Sequence, residues 1–323
     1  MCSMRSLCSK FAPICALLLV SAAARAEWPA RVFIPYQYLG SGDNFKLTDC
    51  DDGCGLKYYT LAFIIADKDG NPAWHGRVPM EKDHYRDQID EIRKRGGDVL
   101  VSFGGEGGTE LGLVDEDAAA LEKKYQSVID QYKLTWLDFD IEGKALGNDV
   151  ANERRNAAIA ALQKKNPGLI VSFTVPVDPN GLSKQTRKMI ADAKAKGVKV
   201  HSANIMTMYF GPQHTTGKKL ADVCIASAKK AYEQTQAIDP EIKIGLCPMI
   251  GKGGTNGSEL FGLEEAESLK NWAIETPYIC SLSYWAINRD TGKPGRNGNT
   301  KSGIDQEPWA FAKIFNQFAM AKK

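Results

Sequence analysis

The chain has 323 residues, of which 43% are hydrophobic and 25% are charged, with 41 Lys and Arg against 39 Asp and Glu. Its mean hydropathy of −0.31 is typical of soluble globular proteins. A charge balance this close to neutral provides no electrostatic footprint for nucleic acid or an anionic membrane surface, so we expect neither as a partner.

The first 26 residues have the layout of a cleaved secretory signal peptide. Arg5 and Lys10 precede an apolar stretch over 11–20, and small residues follow up to Ala26. The apolar stretch is too short to span a bilayer, and no later stretch approaches 18 consecutive apolar residues. We therefore expect a secreted protein, extracellular or periplasmic, that is cleaved after Ala26.

The expected mature chain has an odd number of cysteines, so at least one thiol has no intramolecular partner. These residues are Cys50, Cys54, Cys224, Cys247 and Cys280. Cys50 and Cys54 lie in a polar segment that we interpret as a loop, where a bridge would contribute about 2 kcal/mol. The pairing stays open. No CxxC pair or Cys/His cluster suggests zinc.

Short runs rich in β-branched and aromatic residues recur along the chain and predict eight strands. In chain order they cover residues 31–39, 58–67, 98–103, 134–141, 169–175, 201–210, 243–250 and 278–287. Amphipathic segments with helical spacing lie between most of them, at 81–95, 115–133, 149–165, 184–196, 218–236, 263–272 and 306–320. The first crossover, 39–57, shows no clear helix.

The repeated order of strand and helix predicts an α/β protein with a (β/α)8 TIM barrel. A chain of this length fits one such barrel, and no Pro/Ser-rich linker or low-complexity tract separates a further module. We therefore expect a single catalytic domain over 27–323 that acts as a monomer. A doubly wound open sheet is the alternative.

The most informative stretch is the predicted fourth strand. Asp138, Asp140 and Glu142 alternate with apolar residues, so the three carboxylates share one face of an extended strand. Because the apolar face belongs under the helices of a barrel, the acids point into its interior. Crowding buried carboxylates is costly, and at least one of them should have a raised pKa. Glu142 comes last, at the carboxyl end of the strand, where barrel active sites lie.

The spacing of these carboxylates limits the chemistry that they can perform. Asp140 and Glu142 lie two residues apart, about 6.6 Å along one strand, and reach a substrate from the same side. A glycosidase that uses two carboxylates needs them on opposite sides of the scissile bond. The arrangement instead fits one acid, Glu142, helped by Asp140, with a nucleophile supplied by the substrate, such as an N-acetyl carbonyl.

Two other interpretations of the same acids stay open. They could form a solvated acidic face without chemistry, although a closed barrel offers no solvated strand face. They could also bind a divalent cation, but no nearby His or further acid completes a coordination shell. We expect neither a metal nor an organic cofactor.

The acidic stretch resembles the fourth-strand signature of glycoside hydrolase family 18, the chitinases and their relatives. Residues 137–142 match the last six positions of the signature Asp-Gly-hydrophobic-Asp-hydrophobic-Asp-x-Glu. The family's third-strand Ser-x-Gly-Gly appears at 102–105, and 245–251 resembles the seventh strand of its compact bacterial members. Residues 282–290 resemble the last strand, which supplies a Trp beneath the reacting sugar.

The resemblance implies a barrel that hydrolyses β-1,4-linked N-acetylglucosamine with retention, through an oxazolinium formed by the substrate. Glu142 would protonate the leaving oxygen and then act as base, Asp140 would orient the acetamido group, and Asp138 would share the proton. Chitin or chitooligosaccharides would be the partners. The residues expected to bind them are Trp285, Tyr209, Met206 and Tyr36. For Tyr36, core packing is equally open.

Two positions depart from the family pattern. Thr135 and Trp136 stand where the signature has Asp and Gly, as also happens in compact bacterial members. On the sixth strand that compact branch has Met-Thr-Met-Asp-Tyr, whereas 206–210 reads Met-Thr-Met-Tyr-Phe. Tyr209 therefore replaces an Asp that contacts substrate and helps tune the acid, although Tyr209 could itself supply the hydroxyl of the family's Tyr.

Two further functions stay open beside a chitinase. An endo-β-N-acetylglucosaminidase would use the same acids. A chitinase-like lectin would bind without cutting; such relatives lose the terminal acid, and Glu142 is present, whereas the change at Tyr209 favours this alternative. Trp74 and His75 follow the second strand and are candidates for contacts with outer sugars, with plain loop residues as the simpler interpretation.

Overall fold

The computed structural model describes residues 27–40, 46–293 and 298–321. The predicted signal peptide, 1–26, lies outside these residues. Within them, no helix combines the length and the apolar character needed to cross a bilayer.

Within the described ranges, eight parallel strands form the centre of the fold. They are β1 (Val32–Phe33 and Tyr36–Tyr38), β2 (Tyr58–Ala66), β3 (Asp98–Gly104), β4 (Trp136–Asp140), β5 (Ile170–Asp178), β6 (Ser202–Thr207), β7 (Lys243–Pro248) and β8 (Ile279–Leu282). Pro35, which has no amide hydrogen, lies between the two pieces of β1. Each predicted strand coincides with an observed one, with small differences at the ends.

The strands close into a barrel. Neighbours pair in parallel from β2 through β8 in chain order. Val32 of β1 pairs with Ser281 of β8, and Tyr36 of β1 pairs with Thr60 of β2. Because β1 joins both ends of the sheet, the predicted (β/α)8 barrel is confirmed and the doubly wound open sheet is wrong.

Within the described ranges, a helix follows each strand. These helices are α1 (Leu47–Cys54), α2 (Arg86–Lys94), α3 (Ala118–Tyr132), α4 (Asp149–Lys165), α5 (Lys184–Ala195), α6 (Leu220–Gln236), α7 (Leu263–Glu275) and α8 (Ala310–Met320). Asp117, Asn148 and Ser183 begin α3, α4 and α5, where their side chains accept hydrogen bonds from first-turn amides.

The first crossover differs from its prediction. It contains α1, although the sequence shows no clear helix there, and Cys50 and Cys54 lie on this helix rather than in a loop. The helix is eight residues long and buries only Leu47, Cys50 and Asp51, too few positions for a helical period to stand out in the sequence. Gly55 ends it in the left-handed conformation, with φ of 73°.

The cysteines of the described residues are all free thiols. The Sγ atoms of Cys50 and Cys54 are 3.1 Å apart and share a hydrogen bond. Residues four apart on a helix have Cβ atoms about 5–6 Å apart, whereas a disulfide needs about 3.8 Å. The helix therefore brings these two thiols together without a bridge.

The helix-facing side of β4 shows how the barrel is packed. Leu137, Phe139 and Ile141 are fully buried. The ring of Phe139 stacks on Phe103 with centroids 5.5 Å apart and meets the edge of Tyr125 at 5.1 Å. Since this apolar face is covered by the helix layer, the alternate residues of β4 point into the barrel.

Aromatic side chains close the amino-terminal end of the barrel. The ring centroid of Trp28 lies 5.2 Å from that of Tyr58 and 5.1 Å from that of Trp136. Its Nε1 donates to Thr135 Oγ1 at 3.0 Å. Thr135 and Trp136, the two departures from the fourth-strand signature, therefore serve packing at the end of the barrel opposite the strand carboxyl ends.

A buried ion pair joins α4 to the loop that follows β3. Arg155 Nη2 lies 2.6 Å from Glu110 Oε2, and both side chains are at most 3% exposed. Tyr125 OH donates to Glu110 Oε1 at 3.2 Å. The pair ties the segment after β3 to the helix layer.

Replacing Arg155 with Met should lower the free energy of unfolding by about 3–5 kcal/mol, because Glu110 then remains as an uncompensated buried charge. Adding Glu110→Gln should recover part of the loss. Denaturant titration of the wild type and both variants measures these differences. Equal stability of Arg155→Met and the wild type would contradict the role given to this pair.

Candidate functional site

A cavity of about 610 Å³ opens at the carboxyl ends of the barrel strands. Residues of the first, second, fourth, fifth, sixth and seventh strands line it, together with the segments that follow the third and eighth strands. Of the seven residues expected from the sequence to form a site, six line this cavity, namely Tyr36, Asp140, Glu142, Met206, Tyr209 and Trp285. Asp138 lies beneath it and is 3% exposed.

The three acids form a ladder along β4 that rises toward the cavity. Asp138 and Asp140 are on the strand, and Glu142 follows immediately before the short helix Gly143–Gly147. Asp138 and Asp140 are buried, whereas Glu142 is half-buried and faces the open space. The alternation in the sequence thus places the acids on the inner face, as expected.

Asp138 is held by four hydroxyl groups. Ser172 Oγ donates to Oδ1 at 2.6 Å, and Ser102 Oγ and Tyr36 OH donate to Oδ2 at 2.7 and 2.9 Å. Thr174 Oγ1 lies 3.0 Å from both carboxylate oxygens. Burial raises the pKa of Asp138, and these hydroxyl hydrogen bonds oppose that rise because they favour the charged form.

Asp140 has few partners of its own. Its Oδ1 is buried and has no hydrogen-bond partner within the part of the chain that the structure describes. Burial raises the pKa of Asp140 well above its ordinary value, and the charges of Glu142 and Asp138 raise it further. Its side chain also shares a hydrogen bond with Glu142. Asp140 and Glu142 therefore hold a proton as a pair, which titrates as one unit.

Burial and two neighbouring acids shift the pKa of Glu142. Burial is the largest cause that raises its pKa; the hydrogen bond with Asp140 lowers it, and the charge of Glu106 raises it again. The raised pKa suits a group that must carry a proton at mildly acidic to neutral pH and release it to a substrate.

Aromatic rings form the wall of the cavity next to β8. Trp285 follows this strand, and its ring stacks on Phe63 with centroids 5.6 Å apart and planes at 10°. Tyr36 and Tyr38 contact the same indole at 5.8 and 5.5 Å. Trp285 is half-buried, so part of its apolar face is available to a ligand in the cavity.

Tyr209 lies at the mouth of the cavity, two residues beyond the end of β6. It is 58% exposed and has a left-handed backbone, with φ of 57°. Glu259 fixes this turn, because its carboxylate accepts the amide hydrogens of Tyr209 at 2.8 Å and Gly211 at 2.9 Å. The sequence gives no sign of Glu259, which lies about 50 residues further along the chain.

The Gly-rich segment 104–108 forms the loop after β3, at the barrel mouth. Gly105 N donates to Asp140 O at 2.9 Å. A Cβ on Gly104 would lie 2.2 Å from that same oxygen, and a Cβ on Gly105 would lie 2.7 Å from the ring of Phe63. Glycine is thus required because the loop presses against β2 and β4.

Other residues at the cavity were missed or misjudged. Glu106, Cys247 and Thr174 line it without having been predicted. Thr174 could have been found, since polar and apolar residues alternate along β5 as they do on β4. Trp74, a candidate for outer sugars, is instead fully buried, and its Nε1 donates to Tyr132 OH at 3.0 Å. His75, its neighbour, does line the cavity.

Comparison with known proteins finds a curated relative along most of the chain. The probable bifunctional chitinase/lysozyme of Escherichia coli (strain K12) is 29% identical over 320 residues, which cover 91% of this chain. The chain spans 35% of the length of that relative. No family model matches the chain.

Two solved structures resemble this chain over nearly their own full length. The catalytic domain of the hyperthermophilic chitinase from Pyrococcus furiosus has a TM-score of 0.80 at 32% identity, covering 91% of this chain and 97% of that chain. The catalytic domain of a family GH18 chitinase from the fern Peteris ryukyuensis has a TM-score of 0.58 at 15% identity, covering 88% and 100%. The similarity to the fern domain concerns the fold alone.

Removing one hydroxyl donor should raise the pKa of Asp138 further, because the hydrogen bond from Ser172 favours the charged carboxylate. In Ser172→Ala we expect the ¹³C NMR titration of the Asp138 carboxyl to move to higher pH. Ser127→Ala, which removes an exposed hydroxyl of α3, is the matched control. An unchanged titration of Asp138 would refute the stabilising role of the hydroxyl groups.

Proposed function

Because this chain belongs to the glycoside hydrolase family 18 chitinases, we propose that it hydrolyses β-1,4 linkages between N-acetylglucosamine units of chitin or chitooligosaccharides. The observation that carries this proposal is the ladder Asp138, Asp140 and Glu142, which leads from the hydroxyl cluster to the cavity. Asp140 and Glu142 share a proton beside the cavity, within reach of the glycosidic oxygen of a bound substrate.

Glu142 is the general acid and base in this proposal. Its proton moves to the glycosidic oxygen as the bond from that oxygen to the anomeric carbon breaks. Asp140 ends β4 and Glu142 follows two residues later, so both reach the substrate from one side and no carboxylate of the ladder attacks from the opposite face. The carbonyl oxygen of the substrate's own acetamido group forms the new bond to the anomeric carbon and gives an oxazolinium.

Water then completes the reaction. Glu142, now a carboxylate, accepts a proton from water as the water oxygen attacks the anomeric carbon and the oxazolinium ring opens. Two inversions give overall retention of configuration. Glu142 regains its proton and is ready for another cycle.

Asp140 orients the acetamido group. Its buried Oδ1 has no partner within the described residues, and the N–H of an acetamido group is a suitable donor for it. Accepting this hydrogen bond turns the carbonyl oxygen toward the anomeric carbon and stabilises positive charge on the nitrogen. Asp138, held by hydroxyl groups, shares in the proton of Asp140 and Glu142, and its negative charge raises the pKa of Asp140 and so favours the protonated form of Asp140.

The walls of the cavity bind the sugars. Trp285 stacks on the apolar face of the reacting sugar, a contact that indole rings make well because their flat apolar face buries a large area. Met206 and Tyr36 contact the same unit, and Tyr209 at the mouth contacts a neighbouring sugar through its exposed ring.

The protein acts outside the cytoplasm in this proposal, extracellular or periplasmic, after removal of residues 1–26. It acts as a monomer, without a metal or an organic cofactor. An endo-β-N-acetylglucosaminidase and a chitin-binding lectin are the two other outcomes that substrate tests would reveal. The lectin is favoured by one observation, the presence of Tyr209 where the resemblance calls for Asp.

Replacing Glu142 with Gln should lower kcat on chitohexaose by about 10²–10⁴-fold, because the amide cannot donate the proton. Product lengths are followed by chromatography and the fresh anomer by ¹H NMR. We expect β-anomers from the wild type. Glu116→Gln, which alters an exposed acid outside the cavity lining, is the control. Comparable turnover in Glu142→Gln would remove Glu142 from this role, and saturable binding by an inactive wild type would indicate the lectin.

A further inference from the structure

Glu106 lies on the loop after β3 and lines the same cavity as Glu142. Gly104 of β3 and Asp140 of β4 are paired where these two parallel strands lie side by side. Glu106 follows Gly104 by two residues and Glu142 follows Asp140 by two residues, and both line the cavity. β3 ends at Gly104 and β4 ends at Asp140, so Glu106 and Glu142 extend from paired strand ends into the same cavity.

The backbone on both sides of Glu106 is held in place. Gly105 N donates to Asp140 O at 2.9 Å, directly before Glu106. On the other side, a Cβ on Gly108 would lie 2.1 Å from Ile65 Cδ1, so the loop also presses against β2. Glu106 therefore projects from a segment whose position is fixed against both neighbouring strands.

Charged and titratable groups face Glu142 from several elements. Those that line the cavity together with it are Tyr36, Tyr38, His75, Arg77, Glu106, Asp140, Tyr209 and Cys247. Burial lowers the pKa of His75 to about 4, with a further contribution from Arg77, so His75 is neutral near neutral pH. Burial raises the pKa of the Cys247 thiol and holds it neutral as well.

The acids thus dominate the electrostatics around Glu142. Arg77 lowers the pKa of His75, whereas the pKa of Glu142 depends on burial, Asp140 and Glu106. Glu106, which is exposed, contributes one negative charge, and Asp140, which is buried, contributes a hydrogen bond.

We propose that Glu106 is a positioning residue for the general acid, because its carboxylate repels negative charge on Glu142 and so keeps the catalytic proton there. This inference rests on the proposed function of Glu142. The direction of the electrostatic effect agrees with it: after burial and the opposing hydrogen bond from Asp140, the charge of Glu106 raises the pKa of Glu142.

The exposure of Glu106 makes the effect sensitive to salt. The side chain is exposed, so its field reaches Glu142 partly through solvent. At an ionic strength of about 0.15 M the screening length is about 8 Å, and at about 1 M it is about 3 Å. If Glu106 instead formed a hydrogen bond with the substrate, its loss would alter KM and would leave the pH dependence of Glu142 unchanged.

The test is the pH profile of kcat/KM on chitohexaose for the wild type, Glu106→Gln, Glu106→Asp and the control Glu116→Gln. In Glu106→Gln the basic limb should move to lower pH, so that activity at a pH on that limb falls about two- to threefold while the plateau is retained. In Glu106→Asp, which keeps the negative charge, the basic limb should return most of the way to its wild-type pH. Adding about 1 M salt should move the wild type toward Glu106→Gln and leave the variant nearly unchanged.

A ¹³C NMR titration of the Glu142 carboxyl without substrate separates this inference from the proposed function. We expect a lower pKa of Glu142 in Glu106→Gln than in the wild type or Glu116→Gln. If the wild type is inactive but this difference is present, the proposed function fails and the electrostatic coupling stands. Identical titrations and identical basic limbs in wild type and Glu106→Gln, or a change in KM alone, would overturn the inference.

Discussion

Three carboxylates that rise from the inner face of β4 to its carboxyl end are the constraint on which the rest of the site depends. Burying unpaired charges at these positions would be costly in free energy, and a different interaction reduces this cost at each of the three acids. Hydroxyl groups surround Asp138, a shared proton links Asp140 to Glu142, and partial exposure eases the burial of Glu142. Asp138 is held by hydroxyl groups, whereas Asp140 and Glu142 share a proton. This arrangement leaves a proton on the outermost pair, next to the cavity.

The fold supports this arrangement through contacts outside the ladder. The parallel register between β3 and β4 sets the height of the Gly-rich loop, and glycine allows that loop to approach Asp140 O closely. Behind the loop, Glu110 and Arg155 anchor the segment to α4. The loop that carries Glu106 is therefore held against its neighbours at Gly105 and Glu110, although it has no regular secondary structure.

Much of this arrangement could be predicted from local sequence pattern. The alternation of acids with apolar residues gives the inner face of β4, and eight strand-like runs give the barrel, because both depend on short-range periodicity. What depends on long-range contacts could not be predicted. Glu259 reaches Tyr209 from about 50 residues away, Trp74 is buried by Tyr132, and α1 is too short to show a period.

In the proposed reaction the nucleophile comes from the substrate, while Glu142 supplies and recovers the proton. The most direct measurement compares kcat/KM for aryl chitobiosides whose reacting acetamido group carries no, one, two or three fluorine atoms. Fluorine withdraws electrons from the carbonyl oxygen, so the account predicts a steep, progressive fall in rate along the series. A rate that does not depend on fluorination would contradict it, since the nucleophile would then have to come from the protein or from water.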